Sequence, residues 1–399
     1  MKDRIYMTNS SKKKLVFISC RYPFPTLGGL ENTNLQLLRF LSIHFDVSAH
    51  FCEYRDVSKK DIGKLEKLGV QVHIHKLRYL DAALGILMSF TSGLPVQCGL
   101  FFSKKAADAV RADLISAALA FCSHIRTAPY ITNCAIPTFF SLSDSVSQIY
   151  KHNMSITSGW RRLGYKIELP RLLKLEKQIA NKSAGMFLFN QVESAYFDCP
   201  NVYTVPHGVN QELFSVKSVA SDYSDGVSLI GKMDILHNRD MVRWFASEVM
   251  PLLPSTIKFY IIGAHPTKEI LNLSIADPRI IVKGFMENPY PVIRSSIACI
   301  CPMQTGGGIQ NKIIEAMAVG ALVVSSPRAM LPLKEPEDSG ILICSKSSEW
   351  ANQIMDICKT PENYLANRSM ARRYAKKHFS WDSFGNEILE VINKSVSYK

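Results

Sequence analysis

TGGGIQNKIIEAMAVGALVVSSP, residues 305–327, is the stretch on which the reading of this chain turns. It opens on three consecutive glycines, Gly306, Gly307 and Gly308. An apolar run of helical period follows, and beyond Gly320 the chain ends in the strand-like ALVVSS. That is a loop, a helix entered through a glycine-rich N-terminus, a glycine stop and a buried strand. Amides exposed at such a helix start favour anions, phosphate above all. Lys312 and Glu315 stand three apart and share one face of the helix. A cation and a carboxylate beside a phosphate cradle suit a nucleotide. An ordinary βαβ connection uses the same glycines for tight turning, and the stretch alone leaves both readings open.

Outward from this stretch the same alternation repeats. LVFISC (15–20) is a short β-type run, followed by RYPFPTLGGLENTN (21–34) and a helical spacing of apolar residues, the opening of a Rossmann-like unit. FDVSAHFC (45–52) and VQVHIHKL (70–77) read as further strands around a polar helix. Helical segments around 104–122 and short strands in PYITNC and TFFSLSD (129–144) continue the pattern. WRRLGYKIELPRLLKLEKQIANKS (160–183) is a basic helix whose charges leave an apolar stripe of Leu169, Leu172, Leu173 and Ile179. It suits a membrane surface or, as charge runs more often do, the solvated face of a packed helix. A polar, Ser/Asp-rich break at 207–226 separates the two halves. Strand-like VSLIGKMD (227–234), IKFYIIG (257–263), RIIVKGF (279–285), SIACICPM (296–303) and GILICS (340–345) then alternate with helices, among them MVRWFASEVMPLL (241–253), and two helices end the chain. The expected class is α/β, two Rossmann-like domains facing each other across a cleft. A flexible leader (1–14) precedes a first domain (15–206) and a second (207–379), and a terminal helix (380–399) packs back on the first.

Composition narrows the partners. Residues 1–200 carry 26 Lys+Arg against 15 Asp+Glu, and residues 201–399 carry 21 against 19, so the net charge of +13 sits almost entirely in the first half. Such a surface suits a phospholipid headgroup, a phosphorylated lipid carrier or an acidic glycan. No aromatic-interleaved basic cluster supports nucleic acid. Ten scattered cysteines without a CxxC pair imply free thiols in a reducing compartment. No apolar run reaches the ~20 residues of a membrane span; LGILMSFTSGLPVQCGLFF (84–102) reads as a buried or interfacial segment.

Five stretches in order resemble the retaining glycosyltransferases of family 4, of GT-B fold, and more narrowly bacterial exopolysaccharide-type sugar transferases. They are RYPFPTLGGLENTN, VPHGVNQELF (205–214), LIGKMDILHNRDMVRWFASEVMPLL (229–253), the glycine stretch itself, and FSWDSFGNEILEVI (379–392). The resemblance implies transfer of a sugar from a nucleotide diphosphate sugar to a glycan or lipid-linked acceptor, with retained anomeric configuration. The setting it implies is surface polysaccharide or glycolipid assembly, in the cytoplasm or peripherally on the inner membrane face. The second domain would hold the donor and the first the acceptor, with no further cofactor.

Carried over by residue, Glu315 matches the glutamate that binds the ribose hydroxyls. The amides of Gly308, Ile309 and Gln310 would face the diphosphate or sugar, with Asn311 beside them, and Gly28 and Gly29 would approach from the first domain. Lys232 and His237 fall where the family clamps phosphate, and Lys312 would support them at the helix start. Gly307 replaces a glutamate that usually touches the donor sugar. That replacement argues for a nucleotide-sugar-binding protein without transfer; a GT-B epimerase is a further alternative. Asp144, and Arg126 within IRTAPY, stand where relatives line the acceptor side. Asp144 orients the acceptor hydroxyl or merely forms a strand-end turn. His124, His152 and His207 read as structural, His207 replacing a family Asn. No metal-ligand spacing is present, and no GxGxxG with a following acid supports a dehydrogenase.

Overall fold

The structure, a computed structural model, describes residues 12–26, 28–132, 134–305 and 310–397. The chain divides into two compact units, one running to Val205 and resumed from Gly385, the other Pro206–Phe384.

In the first unit seven strands form one parallel sheet: β1 (Lys14–Ser19), β2 (Asp46–Glu53), β3 (Val70–Lys76), β4 (Leu119–Ser123), β5 (Thr138–Ser143), β6 (Gly185–Leu188) and β7 (Val202–Thr204). Their order is β3-β2-β1-β4-β5-β6-β7. The central strands are apolar along their length because helices cover both faces of a parallel sheet. Register is fixed on one face by a ladder of phenylalanines. Phe17 stacks on Phe121 at 5.9 Å, Phe121 on Phe187 at 6.1 Å and Phe187 on Phe139 at 6.4 Å between centroids. The final helix, Trp381–Ser397, closes over this unit, where a Cβ on Gly385 would meet the Phe40 ring at 2.4 Å.

The second unit repeats the plan with β8 (Gly226–Ile230), β9 (Lys258–Ile262), β10 (Ile280–Gly284), β11 (Cys299–Cys301), β12 (Val323–Ser325) and β13 (Leu342–Ile343), ordered β10-β9-β8-β11-β12-β13. In each sheet the strand order reverses beside the first strand, between β1 and β4 and between β8 and β11. Such switch points open a crevice at the carboxyl ends of the strands, where α/β sheets bind ligands.

Four local expectations are corrected. The helix expected around 104–122 ends at Leu114, and Leu119–Ser123 is the buried strand β4; Ala117 and Ala118 before it and Ala120 within it are compatible with either period. PYITNC is no strand, since Ile125–Ile131 is a 3-10 helix around Pro129, which has no N–H for a ladder. The helix expected over 241–253 starts at Leu236, widens into a π turn at Phe245–Val249 and tightens into 3-10 at Met250–Leu252. Pro251 forbids a regular α end there. Three helices, not two, end the chain: Ser347–Lys359, Leu365–His378 and Trp381–Ser397.

Candidate functional site

The second unit's switch point is built by the loop after β8 and the helix after β11. Two glycines let the strand ends close up. A Cβ on Gly263 would lie 1.7 Å from the Gly231 carbonyl oxygen, and one on Gly231 would lie 2.7 Å from Asn238 Nδ2. Asn238, buried on the helix Leu236–Trp244, donates from Nδ2 to the Lys232 carbonyl at 2.8 Å. Its Oδ1 accepts from the Lys312 ammonium. The Lys232 side chain is exposed just outside. Thr305 ties the loop after β11 to the same helix, its hydroxyl 3.2 Å from Asp240 Oδ2.

Lys312 belongs to the helix Asn311–Val319, capped at its C-terminus by Gly320 at φ 77°. Only 9% of Lys312 is exposed, so its ammonium is buried against Asn238 and not solvated. Burial lowers its pKa from the ordinary lysine value, partly opposed by Cys301 and Cys299. His237, also desolvated, is pushed down further by the Lys312 charge, which favours a neutral imidazole. Glu315, one turn along, is half-buried. Burial raises its pKa, and a hydrogen bond from Tyr290 partly restores it. Tyr290, on the helix Tyr290–Ser295, rises to about 12 through burial and the Glu315 charge. Gln310 is the buried residue just before the helix, and Asn311 its exposed first residue. Gly307, Gly308 and Ile309 lie outside the described residues.

His237 and Lys312 therefore lie together beyond the carboxyl ends of β8 and β11, with Glu315 one turn along the same helix and Lys232 joined to Asn238 through its backbone carbonyl. Asn238 and Tyr290 join them without having been assigned a role. The signal for Asn238 lay in LIGKMDILHNRD, as a polar residue inside a matching stretch; Tyr290 carries no comparable mark.

In the first unit Gly28 is the N-cap of the helix Gly29–His44 after β1, where a Cβ would meet Glu31 Oε2 at 2.7 Å, and Gly29 opens to free space. After β4, His124 sits at φ 79° and its Nδ1 accepts from the Arg126 amide at 3.3 Å. Burial, then the charges of Arg126 and Arg21, push its pKa down to about 3. Arg126 Nε donates to Gln97 Oε1 at 3.2 Å, its guanidinium 4.9 Å from the Phe101 ring centre. Asp144 is exposed at the end of β5, following Ser143 at φ 67°. Gly28, Gly29, Arg126 and Asp144 thus all follow the carboxyl ends of adjacent strands in one sheet.

Spacing along the chain shows no metal ligands, yet pairing of β2 with β3 sets His50 beside His73, and ligand atoms of these two and Asp113 lie within 4.8 Å of one another. Asp113 is already engaged by Lys14, Ser48 and His50.

Residues 225–360 match the family model described as Glycosyl transferases group 1. No curated protein sequence matches the chain. Among solved structures the chain resembles HepE of Anabaena in complex with UDP, with TM-score 0.63 and 14% identity over 96% of this chain and 100% of that one. It also resembles sucrose-phosphate synthase of Thermosynechococcus elongatus, with TM-score 0.59 and 14% identity over 97% and 100%. The lipopolysaccharide outer core galactosyltransferase WaaB aligns with TM-score 0.56 and 11% identity over 96% and 99%. The chain has the GT-B fold, and residues 225–360 of its second unit match the group 1 glycosyl transferase model.

Proposed function

We propose that this protein transfers a sugar from a nucleotide diphosphate sugar to a glycan or lipid-linked acceptor, with retention at the anomeric carbon. The observation that carries the reading is that Glu315, held by Tyr290, stands one helical turn from the buried Lys312 that binds Asn238, at the β8/β11 switch point within the stretch matching the group 1 glycosyl transferase model. Ionised Glu315 accepts hydrogen bonds from both ribose hydroxyls, with Tyr290 orienting the carboxylate. Lys312, Lys232 and amides at the helix start face the diphosphate and stabilise the charge it gains on departure. The first unit presents the acceptor, with Asp144 holding the acceptor hydroxyl.

In the reaction the bond from the anomeric carbon to the diphosphate oxygen breaks. The acceptor oxygen bonds to that carbon from the same face, and the acceptor proton passes to a diphosphate oxygen. No covalent enzyme intermediate is required. HepE is seen with UDP and with UDP-glucose, so UDP-sugars are the first donors to test.

The test is nucleoside diphosphate release from UDP-, GDP- and CDP-sugars, with and without glycan acceptors. Glu315→Gln is expected to weaken donor binding at least about tenfold, the cost of a lost charged hydrogen bond. Undiminished donor affinity in that variant refutes the assignment. Gly307, standing in place of a donor-sugar glutamate, favours one second reading, a nucleotide-sugar-binding protein without transfer. Binding without release under any acceptor would establish it.

A further inference from the structure

The helix Tyr79–Ser92 turns its small residues inward and its large apolar ones outward. Ala82, Gly85 and Ser89 are buried, while Leu80, Leu84, Leu87 and Phe90 are 64%, 59%, 64% and 56% exposed. The cause is a close contact with the helix Val96–Leu100. A Cβ on Gly85 would lie 2.0 Å from the Gly99 carbonyl oxygen, and one on Gly99 would lie 2.1 Å from that of Gly85. Only the glycine side fits there, so the leucine stripe cannot rotate inward. Between Asp81 and Lys104 the chain carries no charge, yet among the described residues no helix is long and apolar enough to cross a membrane.

The basic helix Gly159–Lys182 continues this band. Trp160, Leu163 and Ile167, spaced three and four apart, are 80%, 58% and 49% exposed on one stripe. Four residues on, the Arg171 guanidinium lies 4.9 Å over the Phe90 ring and joins the two stripes end to end. The helix has seven Lys+Arg and two Glu, and both acids are spent inward. Glu168 accepts from the Val96 amide at 2.8 Å and from Arg171 at 3.4 Å. Glu176 is fully buried on Ser145 and Ser147. Outward, Arg161, Arg162, Lys166, Lys174 and Lys177 remain exposed.

We propose that this face docks on an anionic lipid bilayer, with the Leu80–Phe90 and Trp160–Ile167 stripes at headgroup depth and the basic row on lipid phosphates. An apolar band flanked by cations and bearing a tryptophan matches that interface in both polarity and charge. A second copy of the chain is a poorer occupant, because it would set the same basic row against itself. The inference extends the proposed transfer to a lipid-linked acceptor and rests on that reading only for its purpose.

Vesicle sedimentation tests it, using phosphatidylglycerol-containing and pure phosphatidylcholine vesicles at low and high salt. The full chain is expected to sediment with anionic vesicles only, less so at high salt. Arg161→Gln with Arg162→Gln should weaken binding about 25-fold, at roughly fivefold per cation. Leu84→Gln with Leu87→Gln should weaken it by about tenfold or more. All four side chains are exposed, so unchanged melting temperatures confirm folding. No sedimentation with either vesicle overturns the proposal, as does binding indifferent to both double variants. So does loss of a dimer in the leucine variant without vesicle binding. Nucleoside diphosphate release to a water-soluble acceptor is measured on the same variants. Failure of transfer alone leaves vesicle binding standing, and failure of vesicle binding alone leaves transfer standing.

Discussion

Lys312→Met separates the chemical role of this buried cation from its structural one. The substitution keeps the apolar stem and removes the ammonium. On folding, two effects oppose. The hydrogen bond to Asn238 Oδ1 is lost, at about 1–3 kcal/mol for an acceptor left buried. A desolvated charge, held below its ordinary pKa by burial, is also removed, which returns stability of similar size. The melting temperature should therefore shift by only a few degrees, the response to ~1 kcal/mol in a chain of this size. On turnover nothing compensates. A preorganised donor aimed at developing charge contributes about 3–4 kcal/mol, so kcat should fall about 100- to 1,000-fold. Lys334→Ala is the control, because Lys334 is exposed and outside the cluster; it should stay within about twofold. The assay is the initial rate of nucleoside diphosphate release at saturating donor, beside a melt of each variant. Equal losses in the two variants refute the reasoning. So does a Lys312→Met defect that disappears when rates are corrected for unfolded protein.

Tyr290→Phe removes the hydrogen bond that opposes the burial-driven rise of the Glu315 pKa. Donor binding, which needs the ionised carboxylate, should then fail at a higher pH than in the parent, and superimposable profiles of KM against pH would contradict this. His124 has its pKa pushed down to about 3 by burial. A depressed folded pKa gives stability that is present above the unfolded value near 6.5 and lost as pH falls toward 3. His124→Asn retains a capping acceptor and should flatten the fall in urea midpoint between about pH 6.5 and 4, whereas an unaltered slope counts against the assignment. Gly263→Ala forces a Cβ against the Gly231 carbonyl. It should cost about 1–3 kcal/mol in urea unfolding and weaken nucleotide binding, and a parental midpoint would show that the strand ends relax freely.

What the sequence discloses here depends on how far apart in the chain a feature's causes lie. The strands legible as apolar runs, such as LVFISC and IKFYIIG, owe their burial to their own composition, and they appear where expected as β1 and β9. β4 is hidden because the run Ala117–Ala120 satisfies either period, and its strand state comes from pairing with both β1 and β5. The site divides in the same way. Lys312 and Glu315 share a face by helical arithmetic, but the depth of Lys312 depends on Asn238, 74 residues away. That contact in turn needs Gly231 and Gly263 to bring β8 and β9 within reach. The histidines of VQVHIHKL alternate visibly, yet their meeting with His50 is a matter of strand register. The helix Tyr79–Ser92 is the sharpest case. Its composition leaves burial and an interface both open, and only the Gly85–Gly99 contact, a tertiary event, shows that the leucines are the side left over. An apolar helix locked by its glycines thus becomes a surface instead of a core, which is why the exposed face and not the hydropathy carries the inference about lipid.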